Sequence, residues 1–339
     1  MKKIPIVLGG ILIALALALG IQILYTVLTR KPGGVADKIG NGNINVMLAR
    51  PGNWKKIVDD GPIDFIEMDI IDGSTATIPI TAELLRQFFG YTDAQVNKSV
   101  FVNHSTTHNA YINLIDRRYI SETDGHPVSL IFVTPPSDEE TRYASEKGVE
   151  LDLTPIAKDG FVFITHKDNP VDSLTVAQIQ SIYAGGITNW KQLGGNDLEI
   201  KAYQREKNSG SQTAMEQTVM QGKRMKPPVQ ANIYEGMGEL VEAVAEYENG
   251  PASIGYTYCY YINNLYKNDK IKVIKVDGIS PSDENLVSGV YPFTTSYYAV
   301  IRGDEPEGSP AKRLRDFLVT PKGQDLIAMA GYCKAEIRI

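Results

Sequence analysis

IDFIEMDIIDGSTATIPITAELLRQFF, residues 63–89, sets the architecture. The apolar run Phe65 to Ile71 reads as a strand and Asp72-Gly73-Ser74 as a turn, while Leu84, Leu85, Phe88 and Phe89 are spaced for one helical face. A second unit repeats the order: Val100-Phe101-Val102, then a turn from Ser105 to His108, then a helix through Ala110-Tyr111-Ile112-Asn113-Leu114-Ile115. Strands at Val128 to Val133, Phe161 to Thr165 and Leu198 to Tyr203 are each followed by polar turns and helical patterns. This βα alternation predicts an α/β protein whose binding sites lie at the carboxyl ends of strands, where helix amino termini converge. Thr175-Val176-Ala177-Gln178 and Ser209-Gly210-Ser211-Gln212 fit the capping box that opens helices. Val290 to Ile301 is a β-rich aromatic run, and Pro310 to Met329 reads as one or two closing helices.

At 339 residues the chain exceeds what one core needs, which predicts two lobes. Its net charge of −6 disfavours broad nucleic-acid binding, which requires a basic surface. Cys259 and Cys333 are the only cysteines, so there is no multi-disulfide framework and no zinc knuckle; sequence leaves open whether the two pair or stay as buried thiols. Near the amino end, Lys2 and Lys3 precede an uncharged apolar run from Ile4 to Leu28, and Arg30-Lys31-Pro32-Gly33-Gly34 follows. At about 1.5 Å per residue, roughly 25 helical residues cover the ~30 Å hydrocarbon core. A cleaved signal has a shorter apolar region, so residues 1–34 read as an uncleaved single-pass anchor in preference to a signal. One amino-terminal span before a long soluble part places that part outside the cytoplasm. Residues 35–61, rich in Gly, Asn and Pro, read as a linker with a short ordered patch near Val46 to Leu48 and Trp54.

Several reaction classes lack their motifs: there is no Gly-x-Ser-x-Gly elbow, His-Glu-x-x-His, Walker loop or Rossmann glycine fingerprint. His104 and His108 have the i,i+4 spacing of helical metal ligands, but Ser105-Thr106-Thr107 between them reads as a helix entry, which favours a solvated turn over a metal site. Three hydroxyl-rich turns stand out, each between a strand and a helix: Asp72 to Thr77, His104 to Thr107 and Arg205 to Thr213. At a helix start the first amides lack intrahelical acceptors and the helix dipole is positive, so an oxyanion is bound there by N–H groups and hydroxyls. Ordinary N-capping explains any one such turn. Three together, one carrying Arg205 with its planar donor fork, point to a small anion.

These residues resemble the periplasmic phosphate-binding proteins of ABC importers, within the type II solute-binding fold. Gly73-Ser74-Thr75-Ala76-Thr77-Ile78-Pro79-Ile80 is similar to that family's first ligand loop, and Leu153 to Gly160 to its entry into the second lobe. Asn169-Pro170-Val171, Ser173-Leu174-Thr175 and Ile182 to Trp190 resemble its most recognisable stretch, and Arg205 through Ser209-Gly210-Ser211 its anion loop. The likeness spans about residues 64 to 335. It implies a two-lobed α/β fold with ligand in the cleft: lobe I from 62–155 and 265–339, lobe II from 156–264. Carried over position by position, the ligand residues are Ser74, Thr75 and Thr77, then Thr106 or Thr107, then Thr134, then Arg205, Lys207, Ser209, Gly210 and Ser211. Glycines usual in the second loop are absent.

Two departures from the family pattern matter. Where the phosphate binders carry an Asp after the third strand, which accepts the proton of monohydrogen phosphate, this chain has Thr134; where an Asp follows the loop arginine by two, it has Lys207. A hydroxyl donates to an unprotonated anion that a carboxylate would repel, so these exchanges weaken selection for a protonated oxyanion, unless Asp138 or Glu206 supplies the acceptor. The resemblance implies a monomeric, membrane-tethered extracytoplasmic receptor that captures inorganic phosphate or a similar oxyanion and hands it to an ABC permease, with no cofactor, metal or catalytic step. Tyr256, Tyr258, Tyr260 and Tyr261 read as lobe packing and hinge lining. The alternative is a membrane-anchored sensor or interaction protein on the same fold with weak or no phosphate binding; a phosphatase using a loop serine lacks a base beside Ser209.

Overall fold

The computed structural model describes residues 54–58, 61–119, 125–228, 232–234, 237–246 and 250–335. The apolar run Ile4 to Leu28 and the patch at Val46 to Leu48 lie outside the described residues. Among the described residues no helix is long and apolar enough to cross a membrane. The strands are β1 (Ile71–Gly73), β2 (Leu130–Val133), β3 (Leu151–His166), β4 (Ser173–Leu174), β5 (Lys201–Ala202), β6 (Gln204–Arg205), β7 (Ile233–Tyr234), β8 (Ser253–Tyr258), β9 (Ile271–Val276), β10 (Thr294–Arg302) and β11 (Cys333–Lys334). The α-helices are α1 (Ile78–Phe89), α2 (Asp93–Lys98), α3 (Thr107–Ile115), α4 (Asp138–Glu146), α5 (Val176–Ala184), α6 (Gly210–Ala214), α7 (Met237–Ala245), α8 (Asp283–Val287), α9 (Pro310–Leu318) and α10 (Pro321–Met329).

One long strand organises the α/β architecture into two lobes. β3 runs for 16 residues. Its first part, Leu151 to Gly160, pairs antiparallel with β10, and Ala157 and Lys158 also pair with β11. Its last part, Phe161 to His166, pairs with β8 and with β9. The first-lobe sheet continues from β10 to β2 and, parallel, to β1. In the second lobe β5 lies parallel to β8 and β4 parallel to β9, and β6 pairs with β7. The chain therefore passes from the first-lobe sheet to the second at Gly160–Phe161 and is back in the first-lobe sheet at Thr294. Pro155 is accommodated where the β3–β10 register shifts at Tyr297–Tyr298, since a bulge tolerates the missing N–H.

Several sequence-read strands are shorter or different. Phe65–Ile70 is a 3₁₀ segment, and extended backbone begins only at Ile71. Local hydrogen bonds wind it: the Asp64 N–H donates to Glu67 Oε2 (2.8 Å) and the Glu67 N–H to the Asp64 carbonyl (3.0 Å). Val100–Val102 is likewise 3₁₀, started by the Phe101 N–H on Ser99 Oγ (3.3 Å). Pro310 to Met329 forms two helices, α9 and α10.

Residues 54–58 dock on α1, where Trp54 Nε1 donates to Glu83 Oε1 and the Ile57 N–H to Gln87 Oε1, both at 2.8 Å. α1 ends at Gly90, whose φ of 69° lets its N–H reach the Arg86 carbonyl while Tyr91 N–H reaches that of Leu85. The second-lobe core is an aromatic layer of buried Phe161, Phe163, Tyr256 and Tyr258 with ring centroids 5.4–6.4 Å apart. Each such ring contributes about 1.5–3 kcal/mol by leaving water. At the crossing, Tyr260 stacks on Tyr332 at 3.8 Å, next to Cys259 and Cys333, which are both free thiols.

Candidate functional site

Strand-to-helix corners of both lobes open onto one cavity of about 390 Å³. The first corner leaves β1 at Gly73, where a Cβ would stand 2.5 Å from the Phe132 carbonyl and 2.8 Å from His104 Nδ1, so only glycine fits. Ser74 N–H then donates to Phe132 O (2.9 Å), and Ser74 and Thr75 line the cavity. Thr77 does not: its hydroxyl is held by the Phe132 and Ser74 carbonyls at 2.7 and 2.9 Å, and it braces the corner from behind.

The second corner precedes α3. Thr106 sits at φ 82°, ψ 164°, a conformation almost reserved for glycine, and lines the cavity with Thr107. Asp72 holds this backbone in place, accepting from Ser105 N–H (2.8 Å), from the Ser105 hydroxyl and from Asn113 Nδ2 (2.9 Å). Since Asp72 also accepts from Gly73 N–H (2.7 Å), one buried carboxylate ties the first two corners together. His104 and His108 serve different ends. His104 is buried, with Nδ1 donating to the Ser74 carbonyl (2.9 Å) and Nε2 meeting Thr81 Oγ1 (2.9 Å); a carbonyl can only accept, which fixes the tautomer. His108 lines the cavity and pairs through Nδ1 with Glu140 Oε1 at 2.9 Å.

Thr134, the residue after β2, is 2% exposed and faces the cavity. Its Oγ1 lies beside the Tyr258 phenol, but that phenol donates to the Gly210 carbonyl (3.1 Å), and Thr134 Oγ1 is left with no hydrogen bond of normal geometry among the described residues. Burial pushes the Tyr258 hydroxyl pKa well up, so it stays a neutral donor.

The third loop brings the charge. Arg205 ends β6, buried to 8% exposure, and burial pulls its pKa down from the ordinary value, though an arginine remains a cation throughout the physiological range. Its Nε donates to the Tyr234 carbonyl (3.0 Å) and its Nη1 to Ser211 Oγ (3.2 Å), while its backbone N–H donates to Tyr256 Oη (3.0 Å). Ser209 caps α6 by accepting from Gln212 N–H (3.3 Å); the Gln212 side chain accepts from Tyr256 Oη and Arg205 N–H, so only half of the capping box is made. At Gly210 an added Cβ would lie 2.5 Å from Thr134 Oγ1 and 2.8 Å from Thr107 Oγ1. The two lobes meet across this missing side chain.

Ser74, Thr75, Thr106, Thr107, Thr134, Arg205, Lys207, Ser209, Gly210 and Ser211 thus share one cavity, and Thr77 stands outside it. Lys207 is at the exposed rim, its ammonium 2.6 Å from Glu139 Oε2. Asp138 lies outside and is approached by Gln217, whereas Glu206 lines the cavity at its exposed edge. Tyr258, Met237 and Glu239 also line it, unforeseen from sequence. A signal for the last two existed: β7 lies parallel to β6, so the helix after β7 must start at the same sheet end as Arg205. Chemically, the buried wall offers hydroxyls, amides and one guanidinium; the lining carboxylates, Glu206 and Glu239, are both exposed. Such a wall accepts a small oxyanion.

Comparison with known proteins agrees with this fold. The PBP superfamily domain matches residues 71–321. The chain belongs to the PBP superfamily. Among relatives of this PBP-superfamily chain, the phosphate-binding protein PstS of Staphylococcus saprophyticus is 29% identical over 255 residues, covering 73% of each chain. PstS of Borreliella burgdorferi is 24% identical over 273 residues, covering 77% of this chain and 88% of its own. Among solved structures, a phosphate ABC transporter substrate-binding protein with bound phosphate from Clostridium perfringens aligns with TM-score 0.58 and 28% identity, over 78% of this chain and 98% of that one. An ABC-type phosphate transport receptor from Vibrio cholerae, at 22% identity and TM-score 0.56, supports the fold. The superfamily match and these relatives together make the protein a solute-binding protein.

Proposed function

We propose that this protein captures inorganic phosphate in the cleft between its lobes and delivers it to an ABC permease. The observation that carries this is the convergence of Ser74–Thr75, Thr106–Thr107, Thr134 and Ser209–Gly210–Ser211 on one cavity beside Arg205, with a buried Thr134 hydroxyl unpartnered among the described residues. Relatives named as phosphate-binding proteins, and the 28%-identical structure with bound phosphate, support the choice of anion. Donors from both lobes would meet one guest, so binding selects the closed cleft through contacts that only that state makes. The apolar run Ile4 to Leu28 would tether a monomeric receptor to the membrane with its lobes outside the cytoplasm, where phosphate arrives.

Calorimetric titration of the full-length chain with phosphate and with sulfate tests this. Wild type is expected to bind phosphate, and Arg205→Ala to lose detectable binding, since a desolvated anion without its guanidinium forfeits several kcal/mol. Because every buried lining side chain is a hydroxyl, an apolar group or a guanidinium, sulfate is expected to compete measurably. Absence of phosphate binding by wild type would overturn the assignment.

A further inference from the structure

We propose that Lys207 is a cross-cleft latch: from the second lobe's anion loop its ammonium grips Glu139 on α4 of the first lobe and stabilises the closed cleft, instead of touching the anion. The proposal rests on the receptor function above and assigns a positioning role within it. Lys207 Nζ stands 2.6 Å from Glu139 Oε2, and its side chain is 76% exposed although it belongs to the same short loop as buried Arg205. Its charge is therefore directed outward across the cleft mouth. A second bond crosses nearby, from Gln217 Nε2 to the Pro136 carbonyl (3.3 Å). Both join residues on opposite lobes, so both are made only when the lobes approach, and such differential contacts shift the equilibrium toward closure.

The receiving end is rigid. Ser137 N–H donates to Glu140 Oε2 (2.7 Å), Glu140 N–H to Ser137 Oγ (3.3 Å), and Glu140 Oε1 holds His108 Nδ1 (2.9 Å) at the cavity wall. A pull on Glu139 thus acts on a helix start already fastened to α3, which carries Thr107. Hydrogen bonds from Lys207 and Asn208 hold the Glu139 carboxyl down at about 2, so this carboxylate stays ionised through the neutral range. The position two residues after the arginine, where the resemblance leads one to expect a carboxylate beside the ligand, here carries a side chain long enough to reach the other lobe.

The sign of one substitution separates latch from ligand contact. If Lys207 served the anion, Glu139→Gln would free it and tighten phosphate binding; a latch requires Glu139→Gln to weaken it. Exposed ion pairs shift equilibria by small factors. The expected result for the full-length chain is therefore a phosphate Kd raised about two- to fivefold in Glu139→Gln and in Lys207→Gln, carried by faster dissociation in stopped flow. The double variant should be no weaker than either single one, and the swap Lys207→Glu with Glu139→Lys should recover the loss. Spin labels at Ser145→Cys and Lys191→Cys, in a Cys259→Ser, Cys333→Ser background, read lobe separation with or without phosphate. Longer distances in Glu139→Gln support the latch even if phosphate is not the ligand, an outcome that would overturn only the receptor assignment. Where wild type binds phosphate, tighter or unchanged binding in Glu139→Gln overturns the latch; unchanged distances overturn it in either case.

Discussion

Thr134 Oγ1 illustrates what a single atom contributes. A buried hydroxyl without a partner costs about 1–3 kcal/mol, whereas a hydrogen bond to a charged group returns about 1.5–3 kcal/mol. Thr134→Val keeps the shape and removes the oxygen. The expected outcome is a melting temperature equal to or above that of wild type, together with a phosphate affinity lower by about ten- to a hundredfold, checked by calorimetric melting and titration. A residue that mattered only for packing would show neither change. At this scale sequence exposed the hydroxyl corners, because helix starts are local: Ser209 caps α6 through its side chain, and Thr106 and Thr107 stand at the start of α3. Tyr258 was hidden, since its place beside Thr134 depends on where β8 lies against β3. Thr77 misled for the opposite reason, a ligand-like position whose hydroxyl the Phe132 carbonyl takes.

Between elements, the deciding contact is the approach of α6 to the end of β2 and the start of α3. Gly210 makes it possible, and Gly210→Ala would drive a methyl against Thr134 Oγ1 and Thr107 Oγ1. The clash spans the two lobes, so the chain relieves it by opening. Overpacking costs about 1–3 kcal/mol, which corresponds to roughly a five- to 150-fold loss of phosphate affinity with little loss of melting temperature. Titration and thermal melting of Gly210→Ala check both halves of that expectation. Helices were the legible elements: the capping box at Thr175 marked α5, and Pro310 to Met329 read as closing helices that the structure caps at Ser309 and Thr320. Short strands were not: the apolar residues from Phe65 onward are wound by the Asp64–Glu67 hydrogen bonds. The first part of β3 escaped notice too, because Pro155, Asp159 and Gly160 break an alternating pattern that β10 and β11 enforce from either side.

For the whole molecule the crossing between lobes is the critical place, and a carboxyl is buried there. Asp159 accepts from Gly160 N–H (2.7 Å), Tyr260 N–H (3.0 Å) and Tyr297 Oη (3.0 Å), with Asp283 and Cys259 nearby. Burial raises its pKa from 3.8 to about 7, more than the three hydrogen bonds lower it. Between those values the folded chain keeps a proton that the unfolded chain has released. The stability from this group is therefore full below about pH 4, declines as pH rises toward 7 and is absent above it, a span of up to about 4 kcal/mol. Urea midpoints at pH 5 and pH 8 are expected to fall by less in Asp159→Asn than in wild type; equal falls would show that Asp159 titrates normally.

A strand shared by two sheets has a further consequence. Since β3 supplies the middle of both, neither half of the molecule is a module that recombination could lift out intact, for a cut at Gly160 strips each sheet of an inner rung. Exchange of segments is therefore expected to be tolerated at the rims and corners and not along the rod that both sheets share.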